Sequence, residues 1–425
     1  MPFDYVVLGA GIVGLATAYH LKRLSPDASV LVVDKASSPG AGDTGKSAAA
    51  YRAFFTNRLN LALSKASIEF YESVQESGFD LGMRDVGYLF LLDEKLYRDV
   101  KEGLVEAERL GLPFDTLDPG VIEERLGIRT SVRGLEEAEI LGLGDIVAGV
   151  LAKRAGIIAA EKLVEYYYNT ARDMGVEFSF NTKVLELVPR PREPLGVEGE
   201  PFAWQDSRIA EVKTSRGTIE VRGKTIAALG AWTFKVLNPV GVEPYSRPKK
   251  RQVFAVKSDD LKKMLYARGL NRHGLSPMIV FPRKAYARPE PGEGGYWVGM
   301  SDELGRPVVL DEDPAPEEDF YFYSLLPVLS LYKPEFHEAA VTASWAGNYD
   351  ISFDGLPIIF EAYESDLIVS CGTSGSGIMK ADSIGRITAS LALGLDEAEL
   401  YDGTAFKTEW LGLEKRRVEQ EKLII

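Results

Sequence analysis

The chain opens with a strand, a glycine-rich turn and a helix in immediate succession, and no other run limits its fold as much. Residues 4–8 read Asp-Tyr-Val-Val-Leu, a β-branched run suited to a buried parallel strand. Gly9-Ala10-Gly11-Ile12-Val13-Gly14 comes at once after it, then residues with apolar side chains at helical spacing. A second strand-like run over 29–33 ends on Asp34, 20 residues beyond Gly14. Each part has a physical task. Gly9 permits the tight turn, Gly11 lets backbone approach a pyrophosphate, and Gly14 lets helix and strand pack closely. The helix N-terminus offers free N–H groups and partial positive charge to that pyrophosphate. Asp34 can accept two hydrogen bonds from an adenosine ribose and disfavours a 2′-phosphate, which makes NADP the poorest fit. The competing reading is a glycine-rich turn with a packing role only.

The loop after Asp34-Lys35 bears on which dinucleotide is bound. A nicotinamide-binding domain would continue into its next strand–helix unit. Here residues 38–52 form a loop of Gly, Ser and Ala with small side chains, which can lie along an extended cofactor; a plain surface turn is the alternative. Composition removes other classes. The formal net charge is −14, which repels phosphate backbones and anionic lipid and argues against a nucleic-acid partner. No apolar run is long enough for a membrane span, and no signal peptide precedes the first strand, so an integral membrane segment is not expected and a cytoplasmic location is. The single cysteine, Cys371, rules out a disulfide within the chain and cysteine-built metal clusters. His20, His273 and His337 lie far apart without ligand spacing, and no metal site is expected. Asn and Gln together number 11, which with abundant Lys, Glu and Arg leans towards a heat-adapted protein.

Four blocks, in order along nearly the whole chain, resemble the D-amino acid oxidase superfamily of FAD enzymes, in the branch of sarcosine oxidases, glycine oxidases and dye-linked L-proline dehydrogenases. The first is 6–34. The second begins at Gly45-Lys46-Ser47 and runs through Arg52-Ala53-Phe54-Phe55. The third is Ala227-Ala228-Leu229-Gly230-Ala231-Trp232, similar to the family's strand end at the adenine. The fourth runs from Trp345-Ala346-Gly347-Asn348-Tyr349-Asp350 through Asp354-Gly355-Leu356-Pro357 to Cys371-Gly372-Thr373-Ser374-Gly375-Ser376-Gly377-Ile378-Met379-Lys380. The phrasings GAGDTGKSAAAYRAFF and SGSGIMKADSIGR are most similar to the L-proline dehydrogenases.

The resemblance implies an α/β fold: a Rossmann-type FAD-binding domain (residues 1–60, 145–235 and 340–425) interleaved with an α+β substrate domain on an antiparallel sheet (61–144 and 236–339). It implies non-covalent FAD held by Gly9, Gly11, Ile12, Val13, Gly14, Asp34 and Lys35, by Gly45, Lys46 and Ser47, and by Val184. Further contacts fall at Leu229, Gly230 and Trp232, at Gly347 and Asp354, and at Gly372, Ser374, Gly375, Ser376, Gly377, Met379 and Lys380. Non-covalent attachment is implied because Gly347 stands where sarcosine oxidases carry their flavin-linking cysteine. Helical N–H groups after the 372–377 turn would face the flavin pyrimidine ring. The substrate expected is an amino acid, most similar to a secondary amine such as L-proline. Arg52 occupies the carboxylate-gripping position of the branch, suited to two parallel bonds, and Tyr349 matches an active-site tyrosine; an ion pair and a core tyrosine are the alternatives. A second carboxylate-binding lysine of the branch is Met379 here, and Lys380 lies one residue on, turned by about 100°. The oxygen-activating lysine aligns near Tyr296-Trp297, with no cation there. A quinone or dye-like acceptor is therefore expected in place of oxygen. The competing readings are an oxidase of glycine, sarcosine or a D-amino acid, a flavin subunit inactive without partners, and an NAD dehydrogenase. A homo-oligomer stays open.

By pattern, residues 147–174 read as one long helix, then 176–180 and 183–188 as strands. Residues 189–201 read as a solvated excursion, and 251–256, 278–281 and 295–300 as strands. A strand over 366–370 and a helix over 378–393 come next, with a helix-like tail over 409–425.

Overall fold

In the computed structural model the described residues are 2–302, 308–416, 418, 419 and 421. The opening fingerprint forms β1 (Phe3–Leu8), α1 (Ile12–Leu24) and β2 (Val30–Val33). Strands β1 and β2 are parallel neighbours in an eight-stranded sheet. Its main path runs Ile358–Ala362, Leu367–Cys371, Gly217–Ala227, β1, β2 and Glu177–Ser179, parallel except for the first pair. Strands Val184–Pro191 and Ser207–Thr214 extend it antiparallel. The buried strands Val6–Val7–Leu8 and Val30–Val33 carry apolar side chains on both faces because helices cover one side and the antiparallel extension the other.

Three helices pack on one face: α1, Ala160–Asp173 and Gly377–Ala392, with α2 (Arg58–Glu76) against the last. A Cβ at Gly385 would lie 2.7 Å from the Ala16 backbone, so α1 and Gly377–Ala392 approach closely. Between them His20 Nε2 meets Asp382 Oδ1 at 2.7 Å, and Asp382 also accepts from Tyr167 and Arg386. Burying such a charge is tolerated only when every oxygen finds donors.

The second sheet also has eight strands, in the order Ala340–Ser352, Ser246–Lys257, Gly295–Met300, Ala285–Glu290, Met278–Val280, Tyr88–Asp93, Ile146–Ala152 and Phe114–Leu117. It is antiparallel except where Met278–Val280 meets Tyr88–Asp93. The fold departs from the sequence pattern here in two respects. Residues 147–174 are not one helix: Ile146–Ala152 and Ala155–Ile157 are strands, and the helix is Ala160–Asp173. The strand at 146–152 is buried at six of seven positions, and an apolar run without alternation has no period to betray it. Residues 146–152 and 340–352, grouped by resemblance with the cofactor pieces, pair in this second sheet.

The tail differs too. A 3₁₀ turn at Thr408–Leu411 replaces the expected helix, and 422–425 lie outside the described residues. Arg416 explains the path: its guanidinium bonds Asp354 at 2.7 and 2.8 Å and three backbone carbonyls, with both side chains buried. Removing one member of such a pair strands the other, at a cost of about 3–5 kcal/mol. Arg416→Met is expected to lower unfolding free energy by that order in denaturant titration; a loss under about 1 kcal/mol would show the pair to be solvated. Among the described residues no helix is long and apolar enough to cross a membrane.

Candidate active site

A cavity of about 630 Å³ runs from the β1–α1 turn to the seam between the two sheets. At one end lie Gly9, Gly11, Ile12 and Val13. Gly11 caps α1 without a side chain, so the helix start lines the cavity. Gly14 does not line it. A Cβ there would stand 1.9 Å from the Gly9 carbonyl oxygen, so the bare Cα is what lets α1 seat against the turn. The Asp34 carboxylate is oriented by backbone donors at 2.7 Å from Ala10 and Ala36 and keeps capacity for a ribose, since a carboxylate offers about four acceptor sites. Lys35, Val184, Leu229, Gly230 and Trp232 form the walls at this end, with the Lys35 ammonium 4.0 Å from the centre of the Trp232 ring system.

The 38–52 loop supplies the middle. Gly45 turns it through N–H bonds to the Gly40 and Gly42 carbonyls, while Lys46 and Ser47 line the cavity. Two loop residues that motif reading passes over also contribute. Thr44 Oγ1 accepts from the Ile12 N–H at 3.1 Å, and Asp43 accepts from the Asn348 N–H at 2.8 Å. Burial pushes the Asp43 carboxyl up to about 6.

At the far end Gly347 and Tyr349, on the strand Ala340–Ser352, face Gly375 and Gly377. Gly375 has φ +80°, and a Cβ there would fall 2.1 Å from the Tyr349 ring, so only glycine fits. The turn is fastened from beneath. Asp350 Oδ1 accepts from Thr373 Oγ1 at 2.6 Å, and Ser374 Oγ accepts from the Ser352 N–H at 3.0 Å. Gly372 and Ser374 shape this turn without lining the cavity.

Several expected contacts lie elsewhere. Asp354 is the partner of Arg416, away from the cavity. Met379 and Ser376 do not line it. Lys380 is buried, donating to Asn60 Oδ1 at 2.6 Å and Ser376 Oγ at 2.7 Å; burial and then the nearby Arg52 charge push its ammonium down to about 7. Arg52 is half-buried over the rings of Phe55 (4.4 Å) and Phe90 (5.4 Å) and donates to the Phe54 carbonyl. It does not line the cavity.

The arginine that does line it is Arg251, on the strand Ser246–Lys257. Its guanidinium lies 5.6 Å from the Tyr349 ring centre and 3.6 Å from Asp302 and donates to the Lys250 carbonyl at 3.3 Å, while its buried Nε has no hydrogen-bond partner among the described residues. Tyr286 lines the same end, in the space that Gly299 leaves open. Burial raises the tyrosine hydroxyls of Tyr286 and Tyr349, keeping them neutral donors. Neither Arg251 nor Tyr286 has a motif. Arg251 stands in the basic run Lys249-Lys250-Arg251 of its strand, and Tyr286 beside Arg288 and Glu290 in Ala285–Glu290, so neither is singled out by its neighbours. At Tyr296–Trp297, where no cation is expected, Arg288 on the adjacent strand lies 4.3 Å over Trp297, paired with Glu290.

A glycine-turned helix start, a ribose-holding acid and an elongated cavity ending at a second sheet define a dinucleotide-binding oxidoreductase. The cavity residues suit FAD: the helix start for a pyrophosphate, and at the far end Asn348 Oδ1 and Asp350 Oδ2, unpartnered among the described residues, for a polar ring. The chain belongs to the DAO family of FAD-dependent oxidoreductases, whose family model matches residues 4–391. It is 25% identical to the FAD-dependent oxidoreductase domain-containing protein 1 of Xenopus laevis, over 91% of this chain and 78% of that protein. Its fold is similar to L-proline dehydrogenase from P. horikoshii, with TM-score 0.75 and 22% identity over 97% and 96% of the two chains. It is equally similar to glycine oxidase from Geobacillus kaustophilus, with TM-score 0.75 and 20% identity over 98% and 99%.

Proposed function

We propose that the chain is an amino-acid dehydrogenase that oxidises the CH–NH bond of a secondary amine, L-proline, and passes the electrons to a quinone or dye-like acceptor. Arg251 carries the reading. It is a half-buried guanidinium whose buried Nε has no partner among the described residues, at the end of the cavity away from the dinucleotide fingerprint, beside two neutral tyrosine hydroxyls. Arginine grips a carboxylate with two parallel charge-assisted bonds, and Tyr286 and Tyr349 can add a third and shield the amine from water. Bound FAD supplies the acceptor of the hydride that leaves the substrate carbon. The protein's part is to hold the carboxylate and orient the C–H bond. The similar solved structures, named for L-proline dehydrogenation and glycine oxidation, agree in handling amino acids.

For the acceptor, the supporting observation is that Tyr296 is buried and that the nearby Arg288 charge is matched by Glu290. Paired in this way, the Arg288 charge is less available to stabilise superoxide.

The test is an anaerobic absorbance titration of the FAD-loaded protein with L-proline, sarcosine, glycine and D-alanine. Bleaching of the flavin by L-proline at the lowest concentration is expected. Bleaching by glycine or D-alanine alone would overturn the substrate, and hydrogen peroxide formed as fast as a dye is reduced would overturn the acceptor.

A further inference from the structure

The described stretch 308–317 belongs to neither sheet, yet it lies against the cofactor end of the cavity. The Asn348 side-chain amide, towards the far end, donates to the Asp311 carbonyl at 3.0 Å, and the next residue, Glu312, reaches the fingerprint end. Glu312 sits among cations from three separate places: it is ion-paired with Lys35 after β2, and lies 3.6 Å from Lys183 and 3.8 Å from Lys235. The Trp232 indole N–H also donates to it at 3.2 Å. Beside it Asp313 meets Lys46 of the 38–52 loop at 2.8 Å. Lys35, Lys46, Lys183, Trp232 and Lys235 all line the cavity. One surface ion pair is worth little, but several charges in a network are worth more. The Lys35 bond, with the charges around it, holds the Glu312 carboxyl down to about 2.

We propose that Glu312, supported by Asp313, is a latch that retains FAD: it ties this stretch across the adenine end of the channel, and the cofactor leaves only after the ion cluster opens. The inference rests on FAD binding and is independent of the substrate. The latch acts on dissociation, since a charged cluster at the exit must break before the adenine withdraws. It is also sensitive to salt, because its members are partly exposed and screening shortens their reach to about 8 Å at physiological ionic strength.

The test monitors free-flavin fluorescence after dilution of the FAD-loaded protein, at about 0.05 M and about 0.5 M salt. Wild-type release is expected to quicken several-fold at the higher salt. Glu312→Gln should release FAD about tenfold faster at the lower salt and lose most of the salt response, Glu312→Asp should restore much of the retention, and Glu361→Gln, which removes the remote Lys224 pair, should behave as wild type. The cofactor-free forms of all variants should unfold at the wild-type temperature. Release from Glu312→Gln that superimposes on wild type at both salts, or is slower, overturns the latch. So does a fall in cofactor-free stability large enough to account for the faster release.

Discussion

Replacing Arg251 by methionine is expected to weaken binding of an amino-acid substrate about a hundredfold while leaving the flavin in place. Arg251 lines the cavity with its Nε unpartnered and buried, a state that costs free energy until a carboxylate arrives. Truncating one partner of a buried, hydrogen-bonded charge pair costs about 2–5 kcal/mol, and every 1.4 kcal/mol is about tenfold. Methionine keeps the volume and removes the fork, so the loss should fall on KM and on the affinity for acetate, read as a perturbation of the flavin spectrum. Arg52→Met is the informative comparison. Arg52 packs half-buried over two phenylalanine rings and outside the cavity, so its loss should lower stability more than carboxylate affinity. The opposite outcome, with KM intact in Arg251→Met and lost in Arg52→Met, would return the anchor to the position given by family resemblance.

Gly14→Ala is expected to yield a protein that purifies without flavin. The added methyl would lie 1.9 Å from the Gly9 carbonyl oxygen and 3.5 Å from Val7. Backbone cannot give way as a flexible side chain does, so α1 must withdraw from the turn. Overpacking of this kind costs about 1–3 kcal/mol, and it moves the helix start away from the place of the pyrophosphate. Flavin absorbance per chain and thermal unfolding measure the two effects. Gly120→Ala, where a methyl meets nothing within 4 Å, is the control and should match wild type in both. A Gly14→Ala protein with a full complement of flavin would show that the turn yields without loss.

The cofactor half is legible in the sequence because its signals are local. Strand, glycines, helix and Asp34 sit within a few dozen residues, and the structure places them as β1, α1 and β2. The strand Leu367–Cys371 and helix Gly377–Ala392 each fall within one residue of the pattern reading. The substrate side is less legible. Arg251 and Tyr286 meet Tyr349 only because strands far apart in sequence become neighbours through the second sheet, and no spacing announces that. Asp354 misleads for a different reason. Its carboxylate sits in the same motif as the cofactor-facing turn, but Arg416, over 60 residues later, claims both oxygens. Ile146–Ala152 reads as helix because a strand covered on both faces has no alternation to display.

The order of strands in the first sheet bears on how the chain emerges during synthesis. Gly217–Ala227 lies between β1 and Leu367–Cys371, so one of its edges stays unpaired while well over a hundred further residues are added. Edges of that kind template unwanted association, and distant pairings form slowly. The turn that faces Tyr349 comes later still, at 373–377. A nascent chain can thus assemble the adenylate-binding end early and must wait for its last eighth to complete the end where the redox chemistry would occur.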